Sequence, residues 1–153
     1  MDREELLKGI DIPHALFGTL FAFGNSLQAT GDAFYKEITS KQFFLLICLS
    51  IFKENPTINE LSDVMGSSHQ NVKVIADKLA SKGYIRIYKD DRDRRKQRIG
   101  MTPKMQELDH IYEEKSKEFM KRFYEGLTEE EMETTYKTMV KLEQNLAQLR
   151  KEL

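Results

Sequence analysis

Two short runs of polar and basic side chains carry most of the chemistry this sequence can do. The first is Ser67, Ser68, His69, Gln70, Asn71 and Lys73; the second is Arg92, Arg94, Arg95 and Lys96, interleaved with Asp90, Asp91 and Asp93. Carboxamides present a donor and an acceptor together, so Gln70 and Asn71 can bind the edge of adenine at two points, and the serine hydroxyls adapt to either role. A cap explains Ser68 alone; it does not explain Gln70, Asn71 and Lys73 together. Arginines on a loop too polar to pack suit a narrow, A·T-rich minor groove, whose negative potential attracts guanidinium groups. A neighbouring carboxylate can aim such an arginine through paired hydrogen bonds, which gives Asp90 and Asp93 an orienting role.

Charge distribution supports the same reading. The net charge is −1, yet residues 67–100 hold ten basic and four acidic side chains, +6 in all, and the remainder is −7. A positive segment on an acidic body is the layout of a protein that meets a polyanion with one face.

The surrounding elements must position these residues. Ile12, Leu16, Leu20, Phe23 and Leu27 recur at helical spacing, with Phe17 and Phe21 widening the stripe, so the spacing predicts a helix over about 12–28. Gly31 and Asp32 imply a break before Ala33–Glu37. Thr39-Ser40-Lys41-Gln42 is a capping box opening a second helix. The run from Phe43 to Phe52, apolar except for Ser50, marks that helix as a strut buried on most sides. Thr57-Ile58-Asn59-Glu60 opens a short helix to about Met65, Gly66 permits a turn, and Ser68 caps a helix to about Lys82 whose inward face is Val72, Ile75, Ala76 and Leu79. Tyr84–Tyr88 and Arg98–Met101 read as two strands joined by a polar tip, Asp90 to Lys96. Thr102-Pro103 reads as the cap and first residue of a long amphipathic helix containing Met105, Leu108, Ile111, Tyr112, Phe119 and Phe123, breaking near Gly126. Thr128–Glu131 is a third capping box. Met139, Leu142, Leu146, Leu149 and Leu153 then form a seam that wants a partner helix.

Three helices followed by a hairpin make a winged helix-turn-helix, whose second turn-linked helix lies in the DNA major groove. The fold class is mainly α with a small β-hairpin wing. Domain limits fall at 1–36 for an N-terminal helix, 37–102 for the winged helix-turn-helix and 103–153 for C-terminal helices.

Ile38-Thr39-Ser40-Lys41-Gln42-Phe43, Thr57…Glu60-Leu61, Gly66-Ser67-Ser68, Leu79…Lys82-Gly83-Tyr84-Ile85, Asp90…Asp93-Arg94-Arg95 and Met101-Thr102-Pro103-Lys104 resemble the MarR family of winged-helix transcriptional regulators. The resemblance covers nearly the whole chain and departs at Met105, where the family often has glycine. It implies a homodimer joined through both termini and a palindromic double-stranded DNA operator, usually under repression. It also implies relief by a small lipophilic or phenolic effector. It carries minor-groove entry onto Arg94, oriented by Asp90 or Asp93, and places an effector pocket among Phe17, Phe21, Phe43, Phe44, Leu46, Met65 and Tyr84. A winged-helix module that binds an acidic protein instead of DNA is the alternative.

Other chemistries have little support. A single cysteine rules out a disulfide framework within the chain and any multi-Cys metal site. Cys48 lies in the most apolar segment, where desolvation opposes thiolate formation, and is expected to be core rather than sensor. Glu107, His110 and Glu114 share a helix face without a second ligand pair, so no metal is expected. There is no phosphate-binding glycine loop, nucleophile elbow or HExxH, so no catalysis and no cofactor are expected. The N-terminal residues lack a secretory pattern, and no apolar run is long enough for a bilayer, so a cytoplasmic protein without membrane contact is expected.

Overall fold

The computed structural model describes residues 3–153. The elements run α1 (Arg3–Leu6), α2 (Ile12–Phe34), α3 (Ser40–Ile51), α4 (Ile58–Met65), α5 (His69–Ser81), β1 (Ile85–Lys89), β2 (Gln97–Met101), α6 (Lys104–Phe123) and α7 (Glu129–Glu152). They fall into two compact units, one up to Glu107 and one from Leu108 to Leu153.

In the first unit, helix starts are fixed locally. Thr39 and Gln42 form a reciprocal cap on α3, and Thr57 and Glu60 form another on α4. Gly66 ends α4 at φ 61°, a left-handed conformation that costs glycine little and other residues much, and so sets the turn into α5. Ser68 caps α5. The core between these helices and the hairpin contains Leu45, Leu46, Leu61, Val72, Leu79 and Ile99, all essentially inaccessible to solvent. Each such side chain contributes about 1.5–3 kcal/mol relative to exposure.

β1 and β2 pair antiparallel, with Ile85 opposite Met101, Ile87 opposite Ile99 and Lys89 opposite Gln97. On its other edge β2 meets the α3–α4 connection: Ile99 N donates to the Pro56 carbonyl at 2.9 Å, and Thr57 bridges Arg98. Gly100 lets the Asn55 side chain approach there, since a Cβ would lie 2.8 Å from Asn55 Nδ2 and displace it.

Three expectations need correction. No break occurs at Gly31; α2 continues to Phe34. Gly31 is instead a contact point, since a Cβ there would stand 2.6 Å from Ser40 Cβ. Asp32 follows it and accepts the Ser40 amide at 2.7 Å. The Thr102 hydroxyl does not cap α6; it lies 2.6 Å from the Gly83 carbonyl oxygen and 3.0 Å from that of Tyr84, tying the hairpin's two ends together. Finally, α3 is not buried on most sides within this chain: five of its twelve residues are buried. Phe44, Ile47 and Ile51, spaced three and four residues apart, leave a stripe exposed.

In the second unit, α6 and α7 are separated by a turn with Gly126 at φ 83°. The third reciprocal cap, Thr128 with Glu131, opens α7. Lys117 pairs with Glu113 at 2.8 Å and Lys137 with Glu133 at 2.7 Å, one helical turn apart in each case. Phe119 and Phe123 stack at 5.8 Å. No residue of α7 is buried within the chain, and Met139, Leu146 and Leu149 of the seam are exposed.

Candidate nucleic-acid interface

The start of α5 presents its polar side chains outward because Val72, Ile75, Ala76 and Leu79 occupy the buried face. Ser68 Oγ accepts the Asn71 amide at 3.3 Å, and Asn71 Nδ2 donates to Ser67 Oγ at 2.8 Å. The Asn71 carboxamide is thereby held in one orientation, with its oxygen still available. His69 and Gln70 are exposed and make no hydrogen bond among the described residues. Lys73 is half-buried and lies 3.5 Å from Asp77, one turn along. Met65, at the end of α4, is half-buried beside this turn in the chain.

The wing tip owes its shape to Asp90, which is 6% exposed. Its Oδ1 accepts the amides of Arg92 at 2.7 Å and Asp93 at 2.8 Å, and its Oδ2 accepts from Arg98 Nε. The Arg98 guanidinium and the two amides together hold the carboxyl down to about 2. Asp93 accepts from both Nε and Nη2 of Arg95, at 3.0 and 3.3 Å, and these bonds lower its pKa also. The two acids therefore serve Arg98 and Arg95, and neither bonds the Arg94 side chain. Arg92, Arg94 and Lys96 are exposed, with no side-chain hydrogen bond or ion pair among the described residues; the charge of Lys96 acts on Asp93 and Glu60 from a distance. Lys78 and Lys89, absent from the expected contacts, are also exposed cations without a partner there.

Sequence reading left Arg98, Asn55 and Tyr88 without roles. Arg98 Nη1 donates to the Asn55 carbonyl at 2.6 Å, and Asn55 Nδ2 donates to the Tyr88 hydroxyl at 2.8 Å. The available signal was an acid and a base flanking the tip from opposite strands. The approach of Asn55, 43 residues from Arg98 in the chain, leaves no such trace.

The seven expected pocket residues differ in placement. Phe17 and Phe21 are exposed and meet edge to face at 5.2 Å; Phe44 is also exposed. Phe43 is half-buried against the Tyr35 ring at 4.5 Å. Leu46 and Tyr84 are buried, and Lys104 lies over the Tyr84 ring at 4.8 Å. Cys48 is buried, and burial pushes its thiol up from the ordinary range. Among the described residues no three His, Cys, Asp or Glu side chains cluster as metal ligands, and no helix is long and apolar enough to cross a membrane.

No curated protein sequence matches the chain. The model of the MarR family matches residues 37–96. Among solved structures, a MarR/EmrR family transcriptional regulator from Acinetobacter sp. ADP1 is 22% identical with a TM-score of 0.78, covering 91% of this chain and 99% of that one. MepR of S. aureus, solved in complex with DNA, is 22% identical with a TM-score of 0.74, covering 85% and 97%. The PcaV regulator of Streptomyces coelicolor, solved with its natural ligand, is 16% identical with a TM-score of 0.71, covering 90% and 94%. Residues 37–96 thus match the model of the MarR family, and the chain has the fold of the solved MarR-family transcriptional regulators.

Proposed function

We propose that the chain is a homodimeric transcriptional regulator that binds a palindromic operator in double-stranded DNA and represses until a small lipophilic effector binds. The observation that carries this reading is the division of labour among the cations. Arg92, Arg94 and Lys96 face solvent with no side-chain hydrogen bond or ion pair among the described residues, while neighbouring Arg95 and Arg98 are paired with carboxylates. In this reading Ser67, Ser68, His69, Gln70, Asn71 and Lys73 enter the major groove and Arg94 the minor groove. Arg92, Arg95 and Lys96 meet phosphates, and Asp90 and Asp93 hold the wing in shape. Residues 1–36 and 103–153 supply the dimer contacts. The open apolar surface of α2 and α7 supports this, as does the likeness to MepR, which was solved on DNA. Two copies related by a two-fold then read half-sites about 34 Å apart, one helical turn.

The effector part rests on the exposed rings of Phe17, Phe21 and Phe44, on half-buried Phe43 and Met65 and buried Leu46 and Tyr84, and on the likeness to PcaV, solved with a ligand. An effector acts by binding more tightly to a dimer whose reading helices no longer match the half-site spacing.

The test is selection of duplex fragments by the purified protein, followed by a salt titration on the selected site. Affinity is expected to fall about 10³-fold or more between 50 and 200 mM salt if six or more phosphates are contacted. Selection that recovers no common sequence, or binding insensitive to salt, would refute the DNA reading. It would leave the acidic-protein module.

A further inference from the structure

We propose that Arg98 is a positioning residue: it locks the wing tip to the α3–α4 connection and does not itself contact DNA. Its side chain is 30% exposed and that of its partner Asp90 only 7%, whereas Arg95 at the tip is 91% exposed. Two of its donor groups are already engaged, Nε on Asp90 Oδ2 and Nη1 on the Asn55 carbonyl at 2.6 Å. One guanidinium thus joins the connection before α4 to the acid that shapes the tip. From Asp90 the constraint passes to the loop itself, because Oδ1 holds the amides of Arg92 and Asp93 at 2.7 and 2.8 Å. Tyr88 adds a second tie on the same face of the hairpin, accepting from Asn55 at 2.8 Å. Arg98 is opposite Tyr88 in the register, so both ties act at the last pairs of the ladder, where the hairpin could otherwise sway. Arg94 lies between the two amide-anchored residues and the returning strand, with its side chain unpartnered among the described residues. Its direction is therefore set through the backbone by Asp90 and Arg98, rather than by a carboxylate on its own guanidinium.

The planar fork of arginine is what makes this possible. It presents separate N–H groups to a carboxylate and a carbonyl at once, and a lysine ammonium, a single point donor, does not hold both in the same geometry. The DNA arm of the test rests on the proposed function; the exchange arm does not.

The experiment uses the full chain with Arg98→Lys, Arg98→Met, Asp90→Asn and the Asp90→Asn/Arg98→Met double variant. Amide hydrogen exchange without DNA is read at Arg92 and Asp93, with Leu45 and Leu61 as core controls. Affinity for the selected duplex is read in parallel. Exchange at Arg92 and Asp93 is expected to quicken about tenfold or more in Arg98→Met and in Asp90→Asn, as the charged hydrogen bonds holding the loop are lost, while the core amides are unchanged. Arg98→Lys keeps the charge and is expected to lose affinity nearly as much as Arg98→Met. The double variant should be no weaker than the worse single one, because both substitutions break one chain of contacts. Unchanged exchange, full rescue by lysine or additive losses would each overturn the assignment, the last two by making Arg98 a direct phosphate contact. If the parent protein binds no duplex, the function reading fails and exchange alone decides the role of Arg98. If Arg98→Met does not fold, Arg98→Lys supplies the exchange measurement.

Discussion

Lys82 Nζ, just beyond α5, donates to the carbonyl oxygen of Glu37 at 2.7 Å across 45 residues of chain. The same ammonium reaches Gln42 Oε1 at 3.1 Å, and that oxygen already accepts the Thr39 amide in the α3 cap. The end of α5 is thereby fastened to the junction between α2 and α3. Lys82→Met is expected to lower the unfolding free energy by about 1 kcal/mol, the scale of an exposed charged hydrogen bond, while Gln42 keeps its Thr39 partner. A urea titration checks this: the midpoint should fall with the slope unchanged.

Asn71→Ala and Arg94→Ala should weaken operator binding in different ways. Loss of the carboxamide removes a bidentate base contact and is expected to cost about 1–3 kcal/mol on the preferred site and less on scrambled duplex. Loss of the wing guanidinium should also flatten the salt dependence by about one unit of slope, as one phosphate-region charge is removed. Competition binding at several salt concentrations separates the two.

Gly31→Ala gives a reversal of the usual rule. In a helix interior alanine normally stabilises relative to glycine by about 0.5–1 kcal/mol. Here the new Cβ would lie 2.6 Å from Ser40 Cβ, so helix and neighbour must part. A net loss of about 1–3 kcal/mol is expected. Ser40→Gly in the same chain should recover part of it. Thermal unfolding of the single and double variants provides the comparison.

Acid should loosen the wing before neutral pH ever threatens it. The Asp90 carboxyl is depressed from 3.8 to about 2 by Arg98 and two loop amides. A group lowered on folding contributes stability that is whole above its unfolded value and lost as pH falls through the folded one. The latch should therefore be intact from neutrality to about pH 4, then fail between about 4 and 2. Amide exchange at Arg92 and Asp93, corrected for intrinsic rates, should rise over that interval in the parent chain and be insensitive to it in Asp90→Asn.

The three capping boxes and the turn glycines at 66 and 126 were readable from sequence because each is a local rule: residue types at fixed offsets satisfy orphan helix amides or adopt positive φ. The polar start and apolar back of α5 were readable through helical periodicity. Gly31 was misread because the same residue serves as helix breaker and as close-approach point, and only the position of Ser40 distinguishes them. Thr102 was misread for a related reason, its hydroxyl being drawn to carbonyls 18 and 19 residues earlier. At the wing, residue types revealed a cationic tip with acids to order it, but the pairing of those acids depended on hairpin register. Asp90 reaches Arg98 diagonally across the hairpin, because Lys89 is opposite Gln97 and Tyr88 opposite Arg98, and a shift of one residue would have turned Arg98 to the other face.

The 43-residue span between Asn55 and Arg98 also bears on how this protein is made. On the ribosome, α3 and α4 can set their capped starts as soon as a few residues beyond each have emerged. The wing clasp must wait until the whole of α5 and both strands have been synthesised. A nascent chain stalled before Arg98 should therefore hold α5 against a nearly finished core while its hairpin is still open, and completion of β2 should close the hairpin.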